Sequence, residues 1–290
     1  MFSPHQTKHI PLHFLVPTFI VLFAVGFYPL MRTFFLGFTD YSFFTETSKF
    51  VGLYNFKQII SDNYWIKSLI NTLEFTIISV FIEIVLGVIF AIVLNSQFAG
   101  RKFARAVNLI PFVIPLTVAA QLWKWMFHDV FGVINDLLMR IGIISQPNAW
   151  LDNPSTALLS IVAVAVWKFT PFVTLLVLAG LQSIPKELYE SASIDGAGFF
   201  QSFRSITLPL LKGAILVALV FRVLDAIRVF DIVYVMTGNS HLTITVSMYA
   251  RQQMIDFGNV GYGSAISVAI FFIVLVGTMI YMKLLNTEYY

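Results

Sequence analysis

Six long apolar runs, separated by polar stretches, set the pattern of this sequence. Each run is long enough to cross the ~30 Å hydrocarbon core of a membrane as an α-helix. Helices are required there because an unpaired backbone N–H or C=O group is too costly in lipid. The pattern predicts spans at about residues 12–35, 69–94, 107–127, 157–181, 210–236 and 263–285. We therefore expect an all-α integral membrane protein with six transmembrane helices.

Composition indicates the same class of protein. The 290 residues are 58% hydrophobic and 11% charged, and the mean hydropathy is +0.83. Soluble domains carry about 25% charged residues, and thirty phenylalanines are too many for a water-facing surface. The net charge of +3 is small, so the placement of the charges matters more than their sum.

Several kinds of chemistry have no support in the sequence. Without cysteine there is no disulfide, thiolate metal site or cysteine nucleophile. The sequence has no phosphate-binding loop, no His-Glu-x-x-His zinc motif and no Gly-x-Ser-x-Gly motif. His128 and His241 are isolated, and no basic run carries interleaved aromatics for nucleic-acid binding. We predict no catalytic residue, metal site or cofactor in this chain, and no nucleic-acid partner.

Lysine and arginine residues favour one side of the predicted membrane. Basic residues in short turns near the ends of spans mark the cytoplasmic side. On one side these residues are Lys8, Arg101, Lys102, Arg105, Lys186, Arg204, Lys212 and Lys283. On the other side the basic residues are diluted by aspartates and glutamates. We expect both termini, and the polar segment between the fourth and fifth spans, in the cytoplasm.

The polar segment between the fourth and fifth spans is the most informative stretch. Pro185 suits the first turn of a helix, and Gly196 allows a sharp turn at its end. Asp195 is suited to cap a following helix. Pro209 then marks entry into the next apolar run. The segment predicts two short helices joined at a glycine turn.

This segment resembles the EAA loop of ABC-importer permeases. The family pattern is Glu-Ala-Ala, three residues, Gly, nine residues, then Ile-x-Leu-Pro. Here it is Glu190-Ser191-Ala192, Gly196 and Ile206-x-Leu208-Pro209, with every gap matching and Ser191 in place of an alanine. The resemblance implies a cytoplasmic coupling helix that docks in a groove of an ATPase subunit; an ordinary loop between spans is the alternative. The residues that it assigns to ATPase coupling are Glu187, Glu190, Ala192, Asp195, Gly196 and Ala197.

Charged residues inside the predicted spans are the second informative feature. Such a residue costs about 2.5–3.5 kcal/mol at a helix centre, so it usually faces a cavity or a partner. Arg222, Asp225 and Val229 share one face of the fifth span, and Asp225 can pair with Arg222 or with Arg228. The face forms an ion-pair ladder that holds the bundle, or it lines a pathway and binds a polyhydroxylated solute. The two interpretations are compatible.

Two more charges lie in other spans. Lys168 is in the middle of the fourth span, and Glu83 is central in the second. A buried charge needs a partner, and Lys168 is a candidate partner for Glu83. We expect such a pairing rather than proton coupling.

The fifth span also resembles that of disaccharide permeases. The family pattern Phe-Asp-x-x-Tyr-Val-x-Thr-Gly matches residues 230–238, and residues 222–226 and 261–267 indicate the trehalose/maltose branch. The family often continues with further glycines and a proline, where this chain has Asn239-Ser240-His241. The resemblance places the sugar between the fourth and fifth spans. The implied substrate-binding residues are Lys168, Phe169, Phe172, Arg222, Asp225, Arg228 and Val229, although Phe172 also suits plain packing.

Together these resemblances imply a permease of the binding-protein-dependent sugar transport family. One transmembrane domain, residues 1–290, would hold a five-helix permease core at about 69–285 and an additional span at 12–35. It would belong to an ATP-driven importer for a trehalose/maltose-class disaccharide or related glucoside, working by alternating access in a bacterial or archaeal cytoplasmic membrane. The implied partners are membrane lipid, a second homologous permease, two ATP-binding cassette ATPases that use ATP and Mg²⁺, and a periplasmic or lipid-anchored sugar-binding protein.

Other functions predict other features. An ion-coupled secondary transporter would show internal repeats, and none is evident between residues 1–146 and the rest. A structural assembly subunit would have little reason for charges inside its spans. A permease for another small polar solute, such as glycerol phosphate, remains an alternative.

Overall fold

The computed structural model describes residues 15–45 and 48–286, and within them the chain is helical. In chain order the helices are α1 Val16–Val21, α2 Tyr28–Gly37, α3 Tyr54–Ile60, α4 Asn63–Asn95, α5 Arg101–Val113, α6 Leu116–Met126, α7 Val133–Arg140, α8 Ala157–Gln182, α9 Lys186–Ile194, α10 Phe199–Ser202, α11 Leu208–Ile227, α12 Asp231–Thr237, α13 Val246–Arg251 and α14 Val260–Asn286. Short π-helical stretches follow α1, α10 and α13. The described residues contain no β-strand apart from an isolated bridge between Thr39 and Phe50. The all-α class predicted from the sequence is confirmed.

Four helical stretches of the described chain are long and apolar enough to cross a membrane. They are Val16–Gly37, Asn63–Asn95, Ala157–Gln182 and Val260–Met279. These stretches correspond to the first, second, fourth and sixth predicted spans. Residues 12–14 of the first predicted span lie outside the described residues, and so do both termini, whose cytoplasmic side was predicted.

The third predicted span is a pair of helices instead of one straight helix. α5 and α6 meet at an angle of 91°. They form a fifth span only if the two helices cross the membrane as one bent element. Between them Ile114 is extended, with φ −61° and ψ 132°. Pro115 explains this conformation, because a proline ring disfavours the helical region for the residue before it.

The fifth predicted span is also broken. α11 ends at Ile227, and α12 begins at Asp231 after three non-helical residues. α11 carries Lys212, Arg222 and Asp225, and it is not among the four apolar helices. The six-span topology thus stays a prediction.

Contacts divide the described chain into two compact units, one running up to Asp62 and from Ala250 onward, and the other from Asn63 to Tyr249. In the second unit α4 packs along α8, and α11 packs against both. Small residues allow this close approach, since a Cβ atom on Gly180 would lie 2.7 Å from the Ala214 Cβ atom. The apolar core of the unit comprises Ala91, Leu94, Val173, Val177, Leu178, Leu181, Ile184, Leu211 and Ala218.

The first unit joins the N-terminal helix to the C-terminal one. α2 packs on α14, and the Phe34 ring meets the Phe271 ring edge to face at 5.6 Å. The buried Asn55 amide then fixes the chain after α2, because Nδ2 donates to the carbonyls of Gly37 at 2.9 Å and Thr39 at 2.8 Å. One side chain therefore holds the start of the loop that follows α2, together with backbone hydrogen bonds such as that from Asp40 N to the Lys49 carbonyl.

The contact of α4 with α8 leads to a first prediction. A Cβ atom on Gly87 would lie 2.7 Å from the Val173 Cβ atom, so Gly87→Ala should destabilise the protein by about 1–3 kcal/mol through overpacking. Thermal unfolding of the purified protein in detergent measures the loss, and adding Val173→Ala should recover part of it. Gly277→Ala is the matched control, because no heavy atom of the described chain outside its own helix lies within 4 Å of its Cβ position. Equal losses from both single variants would contradict the packing explanation.

Candidate functional site

A cavity of about 390 Å³ lies within the 63–249 unit, at the break between α11 and α12. Its volume is in the range of small-molecule pockets, about 300–1,000 Å³. Aromatic rings and charged groups face it together. The lining residues are Phe75, Leu116, Phe169, Arg222, Asp225, Ala226, Arg228, Val229, Phe230, Asp231 and Ile232.

A buried ion pair lies beside this cavity. Arg222 donates from Nε to Glu83 Oε2 at 2.6 Å and from Nη2 to Glu83 Oε1 at 3.2 Å. Glu83 is fully buried and Arg222 is 1% exposed. The expectation that Glu83 pairs is met, but the suggested partner Lys168 is wrong. The two-bond geometry that a guanidinium offers to a carboxylate favours arginine over lysine here.

Two further contacts fix the Arg222 side chain. Its Nη1 donates to Asp225 Oδ2 at 3.3 Å, and its Cζ atom lies 3.9 Å from the centre of the Phe169 ring. The sequence left Asp225 free to pair with either arginine; the structure pairs it with Arg222. Arg228 instead donates from Nε to the Leu224 carbonyl at 3.0 Å.

The helix break beside the cavity is held by a segment that follows α12. The end of α11 leaves the Val229 carbonyl without a helical partner. Thr245 Oγ1 donates a hydrogen bond to this carbonyl at 3.0 Å. Asn71 Nδ2 in turn donates to the Ile244 carbonyl at 3.0 Å. Neither residue was predicted to hold this break. Asn71 lies two residues inside the predicted start of the second span, whereas Thr245 lies in the loop between the fifth and sixth predicted spans, where the sequence carries no signal for this contact.

Lys168 and Phe172 do not line the cavity. The Lys168 ammonium donates to three carbonyls at the end of α5, those of Pro111 and Phe112 at 2.8 Å each and that of Ile114. Phe172 stacks on the Phe112 ring with centroids 5.7 Å apart. Lys168 thus satisfies backbone groups that the bend leaves open.

The other predicted substrate residues do come together. Phe169 from α8 and Arg222, Asp225, Arg228 and Val229 from α11 and its end line the same cavity. Six further lining residues were not among the predicted substrate-binding residues, although Phe230 and Asp231 lie within the motif at residues 230–238. These six residues are Phe75, Leu116, Ala226, Phe230, Asp231 and Ile232.

The polar segment between α8 and α11 has the expected form of two short helices. α9 and α10 are joined at Gly196, whose φ of +80° is a conformation that favours glycine. Asp195 ends α9, and it does not cap α10, which starts after Gly198. The chain needs two more residues to turn before α10 begins, so Gly198 takes the cap position.

The predicted coupling residues divide into two groups. Glu187, Glu190, Asp195 and Gly196 are exposed, whereas Ala192 and Ala197 are half-buried. On the inner side Tyr189 Oη lies 3.0 Å from Thr207 Oγ1, immediately before α11. The segment therefore presents carboxylates outward while a hydroxyl pair ties it to the start of α11.

Apolar helices around a cavity lined by aromatic and charged residues are typical of a membrane transport protein. The chain belongs to the family of binding-protein-dependent transport system inner membrane components, whose model matches residues 83–286. This confirms the family predicted from the sequence. The chain is thus a transport component of an inner membrane.

Particular relatives are similar over nearly the whole chain. The trehalose/maltose transport system permease protein MalF of Thermococcus litoralis is 42% identical over 276 residues, which cover 94% of this chain and 90% of the relative. The trehalose transport system permease protein SugA of Mycobacterium tuberculosis is 38% identical over 269 residues, 92% of this chain and 86% of the relative. A crystal structure of a bacterial ABC transporter involved in alginate import has a chain with a TM-score of 0.84 and 22% identity, covering 96% of this chain and 95% of that one. The last comparison shows the fold.

The buried ion pair leads to a second prediction. Glu83→Gln or Arg222→Gln alone leaves one buried charge without its main partner, so each should cost about 3–5 kcal/mol in the free energy of unfolding. The double variant should cost clearly less than the sum of the two. Unfolding of the purified protein in detergent, followed as denaturant is added, measures all three.

A matched control is available on the same network. The Asp225 side chain is 61% exposed, so Asp225→Asn should change the free energy of unfolding by about 1 kcal/mol or less. Additive effects of the two buried substitutions would show that Glu83 and Arg222 do not act as a pair.

Proposed function

We propose that this chain is a permease subunit of an ATP-driven ABC importer for a sugar of the trehalose/maltose class, a disaccharide or a related glucoside. The observation that carries the proposal is the 42% identity to the Thermococcus litoralis trehalose/maltose permease over 94% of the chain. The Mycobacterium tuberculosis relative, which is named for trehalose, supports the same class of solute.

The cavity has suitable chemistry for such a solute. Phe75, Phe169 and Phe230 offer ring faces, against which the apolar faces of a sugar can pack. Asp225 and Asp231 can accept hydrogen bonds from hydroxyl groups, and Arg228 can donate them. A few polar groups within an otherwise apolar wall are what a pocket for a small molecule needs.

The exposed carboxylates of α9 support a role in coupling to an ATPase. We infer that Glu187 and Glu190 face basic residues of one of two ATPase subunits, which bind the ATP and Mg²⁺. Movement of that subunit would reach α11 through the contact between Tyr189 and Thr207. This segment then lies in the cytoplasm, and so do both termini.

An importer of this kind needs further spans and further subunits. The bent pair α5–α6 and the broken pair α11–α12 would supply the two spans that the four apolar helices leave out. Broken helices near the middle of a membrane are a common way to build a transport site. A second permease would form the other wall, and a sugar-binding protein would deliver the solute before alternating access moves it inward.

Purification from native membranes in mild detergent tests the assembly. An affinity-tagged chain should bring down an ATPase with a phosphate-binding loop and a second permease, identified by mass spectrometry. The complex in proteoliposomes should then take up trehalose or maltose only with its binding protein and internal ATP. Recovery of the chain alone after crosslinking would contradict the proposal and favour an ion-coupled transporter.

Glu190→Lys tests the coupling role separately. Reversing an exposed charge on α9 should leave folding and membrane insertion intact but abolish most sugar-stimulated ATP hydrolysis and uptake, because like charges would then meet across the contact. Asp152→Lys is the matched control, since it reverses an exposed charge distant in sequence from α9. Normal uptake by the Glu190→Lys complex would rule out a coupling role for this residue.

A further inference from the structure

We propose that the wall formed by this subunit rejects anionic solutes, and that Glu83 is the residue that sets this specificity by neutralising Arg222. The inference rests on the proposed function, since it concerns which sugars the cavity accepts. It assigns uncharged sugars to the site and excludes phosphorylated and other acidic sugars. The sequence left open an alternative function as a permease for a small solute such as glycerol phosphate. Because that solute is an anion, the inference disfavours this alternative.

The guanidinium nitrogens of Arg222 already donate hydrogen bonds to carboxylates of this chain. Three of its nitrogens, Nε, Nη1 and Nη2, donate to oxygen atoms of Glu83 and Asp225 at 2.6–3.3 Å. The Phe169 ring covers one face of the guanidinium. With only 1% of its surface exposed, the residue has no open edge for the two-bond contact that binds a phosphate or carboxylate.

The remaining charges of the wall do not favour an anion either. The charged residues among the described lining of the cavity are Arg222, Asp225, Arg228 and Asp231, two positive and two negative. Glu83 stands behind Arg222 and adds a third negative charge. Arg228 is the exposed cation, and it lies three residues from an exposed aspartate on either side. An anionic solute would therefore meet a wall with a formal charge of −1, where repulsion is poorly screened.

Glu83 differs from the cavity-lining aspartates Asp225 and Asp231 in how it can affect a solute. Asp225 faces the cavity with 61% of its side chain exposed, so water and solute hydroxyls reach it. Glu83 is fully buried on α4 and can act only through Arg222. Removing its charge would leave Arg222 with one exposed carboxylate partner, and the cation would then act on the cavity directly. Glu83 is thus a positioning residue that keeps the Arg222 charge paired and away from the solute.

Binding of a matched pair of ligands to the complete complex tests the proposal. The permease–ATPase complex in nanodiscs, without nucleotide and without the binding protein, is titrated with trehalose and with trehalose 6-phosphate. Omitting the binding protein keeps its own selectivity out of the result. The wild-type complex should bind trehalose at least about tenfold more tightly than its phosphate, as expected for one unbalanced charge at short range.

Variants separate charge from size. Glu83→Gln and Asp225→Asn each remove one negative charge, and each should reduce the preference for the neutral sugar by about tenfold. Glu83→Gln/Arg222→Gln removes one charge of each sign and should keep the wild-type preference, and Asp225→Asn still gives an answer if Glu83→Gln does not fold. Asp152→Asn, outside the cavity lining, is the control for a change in overall charge.

The outcomes are distinguishable. Equal binding of the two ligands by the wild-type complex would overturn the inference. A wild-type preference that a folded Glu83→Gln complex keeps would also overturn it, because Glu83 would then not set the selection. If Asp225→Asn keeps the preference as well, size alone explains the selection. Failure of an intact complex to bind either ligand would overturn the proposed sugar function itself, and this inference with it.

Discussion

The ion pair between Glu83 and Arg222 joins α4 to α11 in an apolar interior, and the geometry of the cavity depends on it. Lipid offers no partner to a charged side chain, so each charge within a span must be met by protein groups. Here a carboxylate from one helix meets the guanidinium of the other through two hydrogen bonds. Because either charge alone would be costly, the pair fixes the relative position of the two helices. Phe75 on α4 and Asp225 on α11 thereby face the same cavity.

The same constraint governs the two helix breaks. A broken helix leaves carbonyls without partners, and these groups cannot turn to lipid. At the bend between α5 and α6, Lys168 donates to the carbonyls of Pro111, Phe112 and Ile114. At the end of α11, Thr245 donates to the Val229 carbonyl. Leu116 follows the first break and Val229 lies within the second, and both line the cavity. Backbone left irregular by the breaks is therefore satisfied by side chains, and the space that the breaks open becomes the cavity.

Local patterns in the sequence were sufficient for the helical class, for four long apolar helices and for the two short helices around Gly196. Those features depend on nearby residues, such as the prolines and glycines that end helices. Such local patterns could not identify the partner of Glu83, because Arg222 is 139 residues away in the sequence and Lys168 was an equally plausible positive partner. The bend before α6 was signalled by Pro115, yet hydropathy alone suggested one continuous span. Hydropathy measures the length of an apolar run, whereas the break depends on which distant side chain can satisfy its carbonyls.

A single rigid helix links the polar segment to the cavity. α11 has 20 residues, which corresponds to about 30 Å at 1.5 Å per residue. Its first turn follows the contact between Tyr189 and Thr207, and its last turns carry Arg222 and Asp225. Under the proposed function, a displacement of α9 by an ATPase would shift α11 as a body. The ion pair to Glu83 lies near the far end of that helix, and such a shift would change the cavity wall directly. Coupling over this distance then needs no relay of side chains, because the helix itself is the connecting element.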